Sequence, residues 1–316
     1  MIISASRRTD IPAYYSEWFF NRIKDRSIST RNPMNIRQIS KIDLSPDAID
    51  CIVFWSKNPA PMLDKLHLIE DYPYYFQFTL TSYAKDIEVN LPKKTEIIDA
   101  FIRLSDLIGP RRIIWRYDPI LLNDKYTVSY HIENFGKIAH KLKGYTQKVV
   151  FSFIDFYKRI NENVKSLNIR DMTIDEKNII AKNLSNIAKE SAFSIDTCAE
   201  NIDLSKYGIS HARCIDDRLI SKITGYNLKV EKDKNQRLEC GCVKSVDIGA
   251  YNSCQNGCLY CYANYSRNIV EKNIKTHKML SPLLLGKKEN DDIVQEKLIH
   301  SDKIRQGYLS YNGVHL

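Results

Sequence analysis

The sequence has 316 residues, of which 43% are hydrophobic and 27% charged, a balance that excludes a disordered chain and allows a large folded core. Its 47 Lys and Arg residues against 38 Asp and Glu residues leave a net charge of +9. That excess favours anionic partners such as phosphates, nucleotides or nucleic acid, although a solvated basic surface explains it equally well. The apolar runs are too short to cross a bilayer and no secretory leader opens the chain, so we expect a cytoplasmic protein with no membrane partner.

Short β-rich runs alternate with helical patterns as far as residue 224. Strands are predicted at residues 2–6, 51–56, 75–81, 112–117, 148–154 and 193–198, and helices at residues 14–26, 61–70, 95–108, 129–142, 175–192 and 216–224. This alternation predicts parallel strands joined by right-handed crossovers. Because no glycine-rich phosphate loop follows the first strand, a dinucleotide-binding sheet is disfavoured. We expect an α/β fold, a full or partial (β/α) barrel with parallel strands over residues 1–230. A cysteine-rich segment and C-terminal tail, residues 231–316, would pack on it as one integrated domain.

Polar residues stand at the ends of the predicted strands, where barrel enzymes place their catalytic groups. The candidates are Arg8 after the first strand, Lys57 after the second, Arg116 and Asp118 at the fourth, and Glu200 after the sixth. Barrel interiors also hold satisfied polar pairs, such as Arg116 with Asp118. Polar ends on all six strands together favour a functional site.

Three cysteines near the carboxyl end follow the pattern C-x3-C-x2-C, namely Cys254, Cys258 and Cys261, with Tyr260 just before the third. Three thiolates at this spacing can each bind a different iron of one cubane, which leaves the fourth iron without a protein ligand. An open position on a metal is typical of catalytic sites, whereas structural sites are usually closed. The pattern therefore predicts an open-site [4Fe–4S] cluster.

This motif, including Tyr260 and the following Tyr262 and Ala263, resembles that of the radical S-adenosylmethionine (SAM) superfamily. The resemblance implies that SAM chelates the open iron and is cleaved by an electron from the reduced cluster. The resulting 5′-deoxyadenosyl radical would abstract a hydrogen atom from an unidentified substrate, anionic or nucleotide-like if the charge balance is a guide. Tyr260 would lie beside the adenine of SAM. Such an enzyme needs an electron donor such as flavodoxin or ferredoxin.

Motifs along nearly the whole chain also resemble the uncharacterised DUF1848 family. They are Ser-Arg-Arg-Thr-Asp-Ile-Pro at 6–12, Phe-Trp-Ser-Lys-Asn-Pro at 54–59, Trp-Arg-Tyr-Asp-Pro at 115–119, Cys-Ala-Glu at 198–200 and Cys-Gly-Cys at 240–242. That family has no settled substrate. The resemblance therefore supports the fold and the cofactor more than it supports a function.

Two features depart from the superfamily pattern. The cysteine triad usually follows the first barrel strand, but here it begins at residue 254, so the barrel must precede the cluster as in a circular permutation. Residues 245–251 would then form a strand beside residues 2–6. The chain also lacks the Gly-Gly-Glu tract that holds the SAM amino group. Glu200 and the pair of Arg116 and Asp118 are the candidates to replace it.

Four further cysteines, Cys198, Cys214, Cys240 and Cys242, are the complement of a second, fully ligated [4Fe–4S] cluster or of a zinc site. Alternatively, Cys198 and Cys214 are small buried apolar residues, as lone cysteines often are. Cys51 lies within a predicted strand and is expected to belong to the core.

Two other functions remain open. In one, the cluster serves electron transfer or redox sensing without cleaving SAM. In the other, Cys240, Cys242, Cys258 and Cys261 close around Zn²⁺ in a non-catalytic module whose basic surface binds nucleic acid. The chain has no aromatic-basic pattern of the kind found in RNA-binding sheets.

Overall fold

The computed structural model describes residues 1–297 and 300–304 and arranges their strands in two sheets. The strands are β1 (Ile2–Ala5), β2 (Ser27–Arg31), β3 (Gln38–Asp43), β4 (Cys51–Ser56), β5 (Tyr74–Thr79), β6 (Ile113–Ile120), β7 (Lys148–Phe153), β8 (Ser194–Thr197), β9 (Ser210–His211), β10 (Val246–Asp247) and β11 (Ile293–Lys297). The α-helices are α1 (Ile11–Tyr14), α2 (Ser16–Lys24), α3 (Ala60–Leu63), α4 (Lys94–Ile108), α5 (Val128–Leu142), α6 (Asn161–Ser166), α7 (Ile174–Glu190), α8 (Asp217–Thr224) and α9 (Arg267–Lys275).

The larger sheet contains eight parallel strands in the order β10-β1-β4-β5-β6-β7-β8-β9. Alternate side chains on these strands point to opposite faces, and both faces are apolar, as is typical of a buried parallel sheet. On one face the strands pack against helices α2, α4, α5 and α7 in a single aromatic core. Within it Phe54 stacks on Phe76, and Trp115 stacks on Phe135, each with ring centroids 4.7 Å apart.

The opposite face of this sheet is covered by the irregular chain between β8 and β10 and by α8. Val53 and Tyr75 point to this side and belong to one buried cluster with Ile220, Cys214 and Cys242. The segment that contains four of the eight cysteines is therefore packed directly on the strands.

The prediction of an α/β fold with parallel strands is confirmed. Strand β4 spans the predicted residues, and β10 pairs in parallel with β1, with Ile3 opposite Val246. The chain therefore returns to the strand with which it begins, as the permuted order required, although β10 contains only two residues of the strand predicted at 245–251. The barrel itself stays a prediction, because β10 and β9 are the two edges of the described sheet.

Other elements differ from the predictions. The helix predicted at 14–26 is interrupted at Tyr15, because Asp10 caps an earlier turn by accepting the Ala13 N–H at 3.1 Å. The small sheet, in the order β11-β3-β2, was not predicted from the sequence, since its strands are short and rich in polar residues. The predicted unit of residues 231–316 contributes β10 to one sheet and β11 to the other, and its last residues, 305–316, lie outside the described part.

In the part of the chain that the structure describes, no helix is both long enough and apolar enough to cross a membrane.

Candidate functional site

The three cysteines of the predicted cluster lie in one loop that follows β10 at the carboxyl edge of the large sheet. Asn264 joins the two ends of this loop. Its Oδ1 accepts the N–H groups of Ser253 at 2.7 Å and Cys254 at 2.8 Å, and its Nδ2 lies 3.6 Å from Cys261 Sγ. The loop is therefore closed by hydrogen bonds of its own before any ligand is considered.

Asp10, which lies between β1 and α1, connects the cysteine loop to the end of β4. Its Oδ2 accepts the Lys57 N–H at 2.8 Å and the Asn256 amide at 3.0 Å, and its Oδ1 accepts the Ser56 hydroxyl at 2.7 Å. Burial raises the pKa of Asp10, although these donors oppose the shift. The ends of β1 and β4 and the cysteine loop are thus held as one unit.

The chain after β5 holds the other side of the loop. The N–H of Asn90 donates to the Asn256 carbonyl at 3.1 Å, and that of Leu259 donates to the Ile87 carbonyl at 3.0 Å. Between these contacts Gly257 adopts a φ of +64°, where a Cβ would lie 2.9 Å from Asn90 Nδ2. A glycine is needed here both for the left-handed backbone and for the close approach.

The loop thiols interact with one another by charge. Burial, together with the nearby Asp10 carboxylate, raises the pKa of Cys254 to about 12. Burial also raises the pKa of Cys258, although the Lys57 ammonium opposes it. The charge of Cys261 raises both values. Because metals bind the thiolate, a bound cation would have to displace protons that these thiols otherwise retain.

Within residues 1–297 and 300–304, no group of three or more His, Cys, Asp or Glu side chains is arranged to hold a single metal ion. A cubane makes a different demand, because each of its thiolates binds a different iron. Three cysteines on one closed loop are consistent with that demand. Cluster binding by Cys254, Cys258 and Cys261 stays a prediction.

Glu88 is the main residue that the sequence analysis missed. It is 1% exposed, and its Oε1 accepts Lys57 Nζ at 2.7 Å, Thr81 Oγ1 at 2.8 Å and the Tyr260 hydroxyl at 2.5 Å. Lys94 forms an ion pair with its other oxygen. Burial alone would raise the pKa of Glu88, but the two ammonium groups lower it to about 2. Only one feature of the amino-acid sequence could have indicated Glu88, namely that this acidic residue follows the end of a predicted strand.

Tyr260, predicted to lie beside the adenine of SAM, stands where this charged group meets the cysteine loop. Its ring is 5.4 Å from Lys57 Nζ and 5.8 Å from the Tyr83 ring. The Glu88 hydrogen bond fixes the direction of its hydroxyl. Lys57 and Tyr260, which the sequence singled out separately, are therefore brought together, with Glu88 between them.

Arg116 and Asp118 form the satisfied pair that was considered as the alternative to a catalytic role. Arg116 Nε donates to Asp118 Oδ2 at 3.1 Å, and Asp118 also accepts the Ser152 hydroxyl. Burial would raise the pKa of Asp118, but the guanidinium of Arg116 lowers it. Arg116 has a further contact, since its Nη1 lies 2.8 Å from Cys214 Sγ.

Glu200 lies apart from this pair, in a cavity of about 360 Å³ at the ends of β7 and β8. Its Oε1 accepts the Phe153 N–H at 2.8 Å, and burial raises its pKa to about 7. Two cations, Lys177 and Arg237, line the same cavity, and Arg237 is paired with Asp155 at 2.6 Å.

A family model described as "Domain of unknown function (DUF1848)" matches residues 2–263, from the first strand to just beyond the third loop cysteine. The chain belongs to the DUF1848 family. No curated protein matches it. The matched range of this DUF1848 chain includes every strand of the large sheet as well as the cysteine loop.

Two neighbouring arginines of the DUF1848 chain follow β1, and Arg8 contacts residues on both sides of the cysteine loop. The guanidinium of Arg8 lies 4.8 Å from the centre of the Tyr251 ring. The backbone carbonyl of Arg8 accepts a hydrogen bond from Asn264 Nδ2 at 2.9 Å. Arg7, which the sequence analysis did not select, packs over Trp55 at 5.5 Å. Arg7 Nη2 and Trp55 Nε1 are buried without a hydrogen-bond partner in the described residues.

The structure brings four of the other cysteines, Cys198, Cys214, Cys240 and Cys242, together on the face of the sheet that α8 covers. Cys198 Sγ and Cys214 Sγ are 3.5 Å apart, and Cys240 and Cys242 lie in the same buried cluster as Cys214. A second cluster or metal on these residues stays a prediction. Cys51 lies in the core of β4, fully buried, as expected.

Proposed function

We propose that this DUF1848 chain is an iron–sulfur enzyme of the radical SAM type, with a [4Fe–4S] cluster on Cys254, Cys258 and Cys261. The observation that carries this proposal is the position of their loop. It lies at the carboxyl edge of a parallel sheet, bonded to the ends of β1 and β4, and this edge is where parallel α/β proteins place their active sites.

The donor set around the loop fits such a group. When bound, the reduced cluster and SAM would supply a radical able to abstract hydrogen. The chain's own contribution is to hold the cluster with three thiolates and to keep Tyr260 and Lys57 in place through Glu88. The unpartnered donor of Arg7 can bind a carboxylate, which SAM has, or a phosphate of the substrate.

Glu200 and Arg237 are proposed to act on the substrate side of the site. A carboxyl with a pKa of about 7 can hold or release a proton near neutral pH. Arg237 and Lys177 give the same cavity positive charge, which agrees with an anionic or nucleotide-like substrate. The reductant is proposed to be a one-electron donor of the flavodoxin or ferredoxin class.

The test is anaerobic reconstitution followed by iron and sulfide counts and by EPR with and without SAM. We expect about four irons per chain on the loop cysteines, a reduced-cluster spectrum that SAM changes, and 5′-deoxyadenosine among the products. Cys258→Ser should lose this cluster, whereas Cys51→Ser, altered in the core of β4, should keep it. An intact cluster that ignores SAM would overturn the proposal in favour of electron transfer.

The zinc alternative predicts that Cys240 and Cys242 share an ion with Cys258 and Cys261. In the described part of the chain, Cys240 and Cys242 instead belong to one buried cluster with Cys214, whereas Cys258 and Cys261 lie in the loop after β10. This grouping disfavours a zinc ion shared by the four cysteines. Zinc in place of iron in the purified protein would reverse that preference.

A further inference from the structure

Cys198 and Cys214 follow two neighbouring parallel strands and meet beyond their ends. Thr197 of β8 is opposite His211 of β9, and the next N–H, that of Ala212, donates to the Thr197 carbonyl at 2.7 Å. The two sulfurs are 3.5 Å apart, the separation of sulfurs in contact. A disulfide bond measures about 2.05 Å, so the sulfurs need to move only about 1.5 Å.

The same sulfurs have unequal surroundings. Cys214 is 2% exposed, and its sulfur lies 2.8 Å from Arg116 Nη1. Cys198 is only half-buried and is the more accessible of the two. Cys198 is therefore the thiol that a reagent would reach first, and Cys214 is placed to react with the product.

We propose that Cys198 and Cys214 are a redox-active pair that forms a reversible disulfide. A small-molecule disulfide such as oxidised glutathione is the oxidant. The Cys198 thiolate attacks one of its sulfurs and expels the first small thiol. The Cys214 thiolate then attacks Cys198 Sγ and expels the second. The protons of the two protein thiols pass to the two leaving thiolates, and the two electrons reduce the oxidant.

Oxidation of this pair reaches the candidate site through Arg116. The guanidinium that contacts Cys214 Sγ also donates to Asp118 and to Gln77, so a disulfide at Cys214 alters one contact of a side chain that is bonded to both. The inference does not depend on the loop cluster. It concerns Cys198 and Cys214, which lie on the face of the sheet that α8 covers and not in the cysteine loop.

The test uses the full chain, purified anaerobically and incubated with oxidised glutathione without SAM. Free thiols are then blocked, and disulfides are mapped by mass spectrometry. We expect one disulfide linking Cys198 to Cys214, reversed by dithiothreitol. In Cys214→Ser the resolving step is lost, so Cys198 should retain glutathione at a level at least about tenfold above wild type. Cys51→Ser is the matched control and should behave as wild type.

Three results would overturn the inference. The first is that the thiols of Cys198 and Cys214 are blocked at the same rate before and after oxidation, and the second is a disulfide confined to Cys240 and Cys242. The third is a metal ion bound by these four cysteines and lost in Cys198→Ser. The wild-type map needs no variant, so a variant that fails to fold leaves the test intact. The SAM and iron measurements on the loop cysteines are separate, and either proposal can fail alone.

Discussion

Replacing Glu88 with glutamine tests whether the buried charge group beside the cysteine loop is as strongly coupled as its contacts imply. Glutamine keeps the shape of a protonated carboxyl but removes the charge that Lys57 and Lys94 share. The pKa of Glu88 falls from an ordinary 4.5 to about 2, and each unit is worth about 1.4 kcal/mol. The carboxylate is almost fully buried, so little is lost to solvent screening. We expect E88Q to lose about 3 kcal/mol of stability near neutral pH.

The pH dependence has a defined sign. Because the folded pKa lies below the unfolded one, the stabilisation is complete above 4.5 and is lost as the pH falls towards about 2. The difference between wild type and E88Q should therefore shrink to roughly half at about pH 3. Urea denaturation followed by circular dichroism measures it. Glu96→Gln, which alters an exposed residue at the start of α4, is the control. A loss below about 1 kcal/mol for E88Q, or one independent of pH, would refute the coupling.

Three further substitutions probe the rest of the architecture. Asp10→Asn places an amide among donors that now bind the carboxylate. It should cost about 2–3 kcal/mol in urea denaturation and loosen the cysteine loop, seen as faster amide exchange there. Glu200→Gln should stabilise the protein above neutral pH by about 1–3 kcal/mol and have no such effect near pH 4. The reason is that the pKa of Glu200 is raised to about 7 in the folded protein, so its ionised form destabilises the fold increasingly as the pH rises above its pKa in the unfolded chain. Equal effects at both pH values would contradict this. Thr173→Ala removes the capping box of α7 and should lower stability by about 1 kcal/mol, whereas Thr95→Ala in the exposed first turn of α4 should change it little.

The sequence by itself determined the local features of this protein. Strand β4 occupies the predicted residues because its apolar run is bounded by polar residues and a proline. The return of the chain to β1 could also be predicted, since a cysteine motif at residue 254 had to follow a strand. The periodicity of hydrophobic residues and the spacing of metal ligands are patterns within a few residues, so both can be recognised in a sequence whose fold is unknown.

Only the tertiary structure decided which distant side chains meet. Glu88 lies 31 residues from Lys57 and 172 from Tyr260, and no local pattern connects them. The contact between Cys198 and Cys214 likewise depends on β8 and β9 being neighbours in one register. Such pairings follow from strand order and from the burial of charge, which are properties of the whole chain. For that reason Lys57 and Tyr260 could be predicted from the sequence, but the Glu88 carboxylate between them could not.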